Sequence, residues 1–281
     1  MFALGSALAL ICGIANSAAA ALEKREMMRL TVHRRGLALL GVLIRRPWWM
    51  VAMALSAIAW VSEAGALGLA PVPVVTTLRS AGRGGLVLAG HHWLGERFGR
   101  VELLGVILLG VGGVLTASSV ISTGAAQPPL SNLTLVLLAL VLAVPAAALS
   151  MTGSGLMMGA AVGILFIATG VYTKELADRF IRHGVTGVLQ ALATPGPWLM
   201  IALSVWSITM IQHAFARSNA ATVSAASTTV SANGLIIAGV ILYREPLASG
   251  AEVIPLTLGI VLSAIGALAL VARELYALRR G

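Results

Sequence analysis

The chain is poor in charge, in acidic charge above all, and it has one cysteine. Charged residues make up 10% of its 281 positions, and Asp plus Glu number ten. A soluble domain carries about 25% charged residues, so a chain this poor in charge cannot cover a surface that faces water. The lone Cys12 excludes an internal disulfide and a CxxC metal site. Catalytic signatures are missing too. There is no GxSxG, HExxH or phosphate-binding loop at a sensible place, and no Ser or His shows nucleophile–base spacing. An enzyme is not expected, and neither is a cofactor.

What the chain does have is apolar length. It is 58% hydrophobic, with a mean hydropathy of +0.95. The solvent such a chain needs is a bilayer, where every backbone N–H and C=O must be satisfied internally by helices or by a closed barrel. A barrel would read as segments of about ten residues with alternating polarity. The long Leu/Val/Ala/Gly/Ile runs read instead as an all-α polytopic membrane protein. Nine stretches approach the length of a span: 2–22, 48–68, 73–93, 102–120, 132–150, 156–173, 197–216, 221–243 and 252–271. Leu37–Ile44 and Val185–Leu192 are too short to cross and read as interfacial or re-entrant pieces. The first stretch ends in small residues like a cleavable signal, but its basic cluster follows the apolar run. It is therefore expected to stay as a helix.

The net charge of +9 and pI near 11.2 do not point to nucleic acid, because the basic residues sit in loops between apolar runs. With the N-terminus outside, 13 of the 19 Lys and Arg fall on the inner side, four on the outer, and Arg79 and Arg83 within a span. The positive-inside rule then gives a multi-pass protein of the plasma or inner cell membrane with its C-terminus in the cytoplasm. Opposite sides for the two ends require an odd number of spans, and nine is odd.

The chain repeats itself. Gly5–Met27 and Gly153–Asp178 share a Gly/Ser start, a small-residue helix and a Lys/Glu end, with Lys24 matching Lys174. Pro47-Trp48 matches Pro197-Trp198, and Ala54-Leu55-Ser56 matches Ala202-Leu203-Ser204. Gly95-Glu96-Arg97 corresponds to Arg244-Glu245-Pro246, and Gly105 and Gly112 to Gly259 and Gly266. Residues 1–120 thus form a first repeat, 121–152 a linker helix, and 153–281 a second repeat. Matching helices lie five spans apart, so the two units insert in opposite directions. Such inverted repeats build secondary transporters whose sites lie near the midplane, at the repeat interface.

Within these landmarks, Pro47-Trp48-Trp49, Glu63, Leu69-Ala70-Pro71-Val72-Pro73, Gly95-Glu96-Arg97 and the Gly-rich fourth span resemble the drug/metabolite transporter superfamily. The likeness is nearest to its EamA/NIPA-like branch. It implies nine or ten helices, inverted repeats, a central cavity and, for the branch, magnesium as cargo. The third span departs from the branch, because it carries Arg79, Arg83, His91 and His92 where the branch is apolar and small.

Charge inside a span marks a functional hypothesis. Arg79 and Arg83 share a helix face, and Glu63 and Arg79 each lie about eight residues from Pro71, a spacing that allows them to pair. The bland reading is an ion pair that locks two helices. The functional one puts Arg83, with or without Arg79, before an anionic or carboxylate-bearing solute, with Glu63 as counter-ion, as proton carrier or, in a cation transporter, as metal ligand. Ser224, Ser227, Thr228 and Ser231 form one polar stripe on the eighth span. At an offset of 149, Thr228 matches Arg79 and Gln212 matches Glu63. The stripe serves either helix packing or a cavity wall facing the arginines. The expected function is transport of a small organic solute, an anionic one among the candidates. Magnesium transport and a non-transporting membrane scaffold are the alternatives. The expected partners are the bilayer and the solute, with a homodimer left open.

Overall fold

A computed structural model describes residues 2–30, 37–82, 99–118, 130–244 and 253–278. Among these the chain is all α, in ten helices: α1 Phe2–Met28, α2 Leu37–Leu43, α3 Pro47–Leu69, α4 Val72–Gly82, α5 Arg100–Ser118, α6 Asn132–Ser150, α7 Gly155–Leu192, α8 Pro195–Arg217, α9 Ala220–Tyr243 and α10 Val253–Leu278. Each of the nine expected spans falls on a helix. The third is followed only as far as Gly82.

Local chemistry sets the boundaries. α3 and α8 both begin on a proline, where the missing N–H costs nothing. Both end on an extended residue, Ala70 and Ser218, whose N–H returns to Ala66 O and Ala214 O. Ser131 and Ser154 cap α6 and α7 by accepting from Thr134 N and Met157 N. α7 is two helices in one. Gly184, at φ 60° and ψ −150°, breaks it just before the short run 185–192. The chain turns back so sharply there that a Cβ on Gly187 would lie 2.7 Å from Arg179 O. The piece 185–192 and the seven-residue α2 are both helical, and both are too short to cross a bilayer at 1.5 Å per residue.

Among the described residues, six helices are long and apolar enough to cross a membrane: α1, α3, α6, α7, α8 and the Thr222–Tyr243 portion of α9. α6 shows what the outer surface is made of. Leu133, Leu137, Leu140, Val141 and Val144 form one exposed apolar face, while Leu135, Ala139 and Ala146 are buried on another. Such a helix is stable only where its outer face meets lipid, so the chain is a membrane-embedded protein.

The first span runs six residues beyond its expected end, to Met28. Glu23, Lys24 and Glu26 read as the start of a loop, yet all three are buried. Each has a partner that offsets its burial. Gln212 Nε2 donates to Glu23 Oε2 at 2.6 Å. Lys24 Nζ donates to Phe215 O and, at 2.9 Å, to Ser218 O, at the negative end of α8. Glu26 takes Arg29 at 3.4 Å and Arg46 at 3.3 Å.

The packing joins two layers of like contacts. α1 lies against α3 and α4, and α7 against α8 and α9. Across the middle α1 meets α8, α3 meets α7, α4 meets α9, and α5 pairs with α10. Glycines permit the close approaches, as is usual where lipid supplies no hydrophobic drive for helix association. A Cβ on Gly159 would lie 2.8 Å from Val223 O, one on Gly163 2.6 Å from Ser227 O, and one on Gly112 2.5 Å from Gly259 O. Gly159→Leu should therefore push α7 from α9 at a cost of roughly 1–3 kcal/mol. The expected drop in thermal-unfolding midpoint in detergent should be missing from Gly41→Ala, where a Cβ meets nothing within 4 Å.

Candidate functional site

Between α1, α3, α4, α7, α8 and α9 lies a cavity of about 600 Å³. α3 brings Met53, Ser56, Ala57, Trp60 and Glu63 to its wall. α8 brings Ile201, Ser204, Val205, Ile208 and Ile211, each 148 positions after its α3 counterpart. α1 supplies Asn16, Ala19, Ala20 and Glu23, and α7 supplies Phe166, Thr169, Gly170 and Thr173, each 150 positions later. Arg79 of α4 and Ser227 of α9 are again 148 apart. The cavity is thus built from corresponding positions in the two halves of the chain.

Arg79 and Glu63 form the expected ion pair, with side-chain exposures of 3% and 13%. The pair joins α4 to α3 across the turn at Pro71. Arg79 Nε and Nη2 find no acceptor among the described residues. Arg83 lies outside the described residues. Ser224 lies on the wall, together with Ser227. Thr228 and Ser231 do not. Ser231 is buried and donates to Thr228 O at 3.1 Å, so it is satisfied within its own helix. Gln212 is buried behind the wall, where its amide holds Glu23 and its Oε1 has no donor among the described residues. The expected matches of Glu63 with Gln212 and Arg79 with Thr228 are each off by one. The walls match Glu63 with Ile211 and Arg79 with Ser227, because α3 and α8 start 148 residues apart, on Pro47 and Pro195.

Sequence reasoning missed a buried acidic residue on the cavity. Glu23 is buried and lies on the wall, whereas Glu63 is the only acid expected inside a span. The signal was present: Asn16, Ala20 and Glu23 follow helical spacing, and Glu23 lies 150 positions before Thr173. Trp60, on the same wall, donates to Thr173 Oγ1 at 3.0 Å and so ties α3 to α7. Glu23 with Gln212 and Trp60 with Thr173 are thus reciprocal contacts, each joining the first helix of one half to the second helix of the other.

The fold and the cavity define a polytopic α-helical membrane protein with a largely apolar central chamber that carries a few charged and hydroxyl groups. Compared with family models, with curated proteins and with solved structures, the chain matches none.

Removing one member of a buried ion pair strands the other and costs about 3–5 kcal/mol, whereas replacing both with well-packed groups costs far less. Glu63→Gln and Arg79→Met should each lower the thermal-unfolding midpoint of the detergent-solubilised protein. The double variant should recover most of the loss; losses that simply add would mean the two charges do not interact.

Proposed function

We propose that the protein is a secondary transporter of the drug/metabolite type that moves a small organic solute through the central cavity. One observation carries the reading: the wall is made of corresponding residues from two halves of the chain, as in Met53 with Ile201, Ser56 with Ser204 and Trp60 with Ile208. A duplicated unit inserted in both directions produces such a site, and alternating access is then a rocking of one unit against the other. In this reading nine helices divide as four, one and four. Residues 1–120 and 153–281 are the repeats, residues 121–152 carry the linker helix, and the N-terminus is outside and the C-terminus cytoplasmic.

Further support comes from features the two halves share. Gly5 lies against Leu69 and Ala70 at the end of α3, and Gly155 lies against Ser218 at the end of α8. α3 and α8 also share their proline start and extended end. The cavity is of a size for small organic ligands, whose pockets are roughly 300–1,000 Å³. Arg79 on the wall keeps an anionic solute among the candidates. The magnesium reading has less to work with, since a hard cation wants several oxygen ligands. Among the described residues no three of His, Cys, Asp and Glu stand together.

The test is flux through the reconstituted full chain in liposomes, screened over small organic anions, amines and neutral solutes. Ser56→Phe and Ser204→Phe fill equivalent places on opposite walls. Each should abolish uptake of the transported solute while leaving the amount of folded protein in the membrane unchanged. Full uptake in both variants would remove the cavity from the transport path. No flux of any solute, together with a stoichiometric copurifying protein, would favour a scaffold.

A further inference from the structure

The two walls of the cavity are equivalent in position and differ in charge. Where the first half presents Asn16, Trp60 and Glu63, the second presents Phe166, Ile208 and Ile211. An occupant therefore meets the ionisable groups of the described wall on one side, and on the other aliphatic residues beside the hydroxyls of Thr169, Thr173, Ser204, Ser224 and Ser227.

Among the described residues, the charged groups of the first wall do not balance. Its ionisable side chains there are Glu23, Glu63 and Arg79, and Arg79 is committed to Glu63. Glu23 is paired with a neutral amide, that of Gln212 at 2.6 Å. The next residue, Lys24, turns away and spends its ammonium on Phe215 O and Ser218 O. A carboxyl this deep in an apolar medium needs a cation or a proton. The rings of Trp60 and Phe166 on the same chamber add faces on which a cation can rest.

Taking the cavity as a solute site, as proposed above, we infer that its occupant is an organic ammonium compound with an apolar body. The nitrogen sits at Glu23 and the body lies along Ile201, Val205, Ile208 and Ile211. This narrows the solute class and turns it away from an anion: the one guanidinium among the described residues of the wall already holds a carboxylate.

The experiment is calorimetric titration of the full chain in lipid nanodiscs with three probes of one body: 2-phenylethylammonium, 2-phenylethanol and 3-phenylpropionate. The ammonium probe should bind at least about tenfold more tightly than either of the others, as a charge-assisted contact provides. Glu23→Gln should erase that preference by weakening ammonium binding, while Glu23→Asp should keep it. If Glu23→Gln does not fold, the ranking of the three probes on the native chain decides alone. Propionate binding as tight as ammonium binding would overturn the inference. So would ammonium binding that survives Glu23→Gln, which would leave Glu23 as a proton holder, and so would no ammonium binding at all. Flux separates this from the transport reading: ammonium binding without flux in liposomes sinks only transport, and flux without ammonium preference sinks only the solute class.

Discussion

A charge inside a bilayer must bring its own partner, and much of this architecture follows from how four buried charges find theirs. Arg79 takes Glu63, which fixes α4 against α3 across the Pro71 turn. Lys24 takes the last carbonyls of α8, joining the first helix of one half to the second helix of the other. Glu23 takes Gln212 and thereby reinforces the same junction. Each contact offsets a desolvation cost that lipid would not forgive. Each also specifies which helices meet, something apolar surface alone does poorly when lipid tails are as apolar as leucine.

Between these anchors the helices approach through small residues. Gly155, Gly159 and Gly163 recur every four positions on α7 and let the backbones of α8 and α9 come within side-chain distance. The same device at Gly112 sets α5 against α10. Tight packing on these outer seams leaves the middle unfilled. There the facing residues are Ser56, Ser204, Ser224 and Ser227, too short to close the space. The chamber is thus a consequence of where small residues pack and where they do not.

The long apolar runs are a local property, and they were readable in the sequence. So was the pairing of Glu63 with Arg79, because a short turn at Pro71 puts residues equidistant from it at equal depth. The end of α1 was not readable. Glu23-Lys24-Arg25-Glu26 has the composition of a loop, and the burial of Glu23 and Lys24 is made tolerable by partners almost two hundred residues away. The stripe on α9 was half readable. Its spacing identifies one face but not its angular limits, so Ser224 and Ser227 line the chamber while Thr228 and Ser231 turn aside.

By itself, then, the sequence determined the solvent, the helical class and a Glu63–Arg79 pair, because these rest on composition and on neighbours along the chain. The tertiary structure alone decided that Glu23 belongs to the chamber, that Gln212 stands behind it, and that Ile211 and Ser227, 148 positions after Glu63 and Arg79, lie on the wall where Gln212 and Thr228 do not. Those outcomes depend on how one helix is rotated against another. Rotation is set by the sum of many distant contacts, which no stretch of sequence contains.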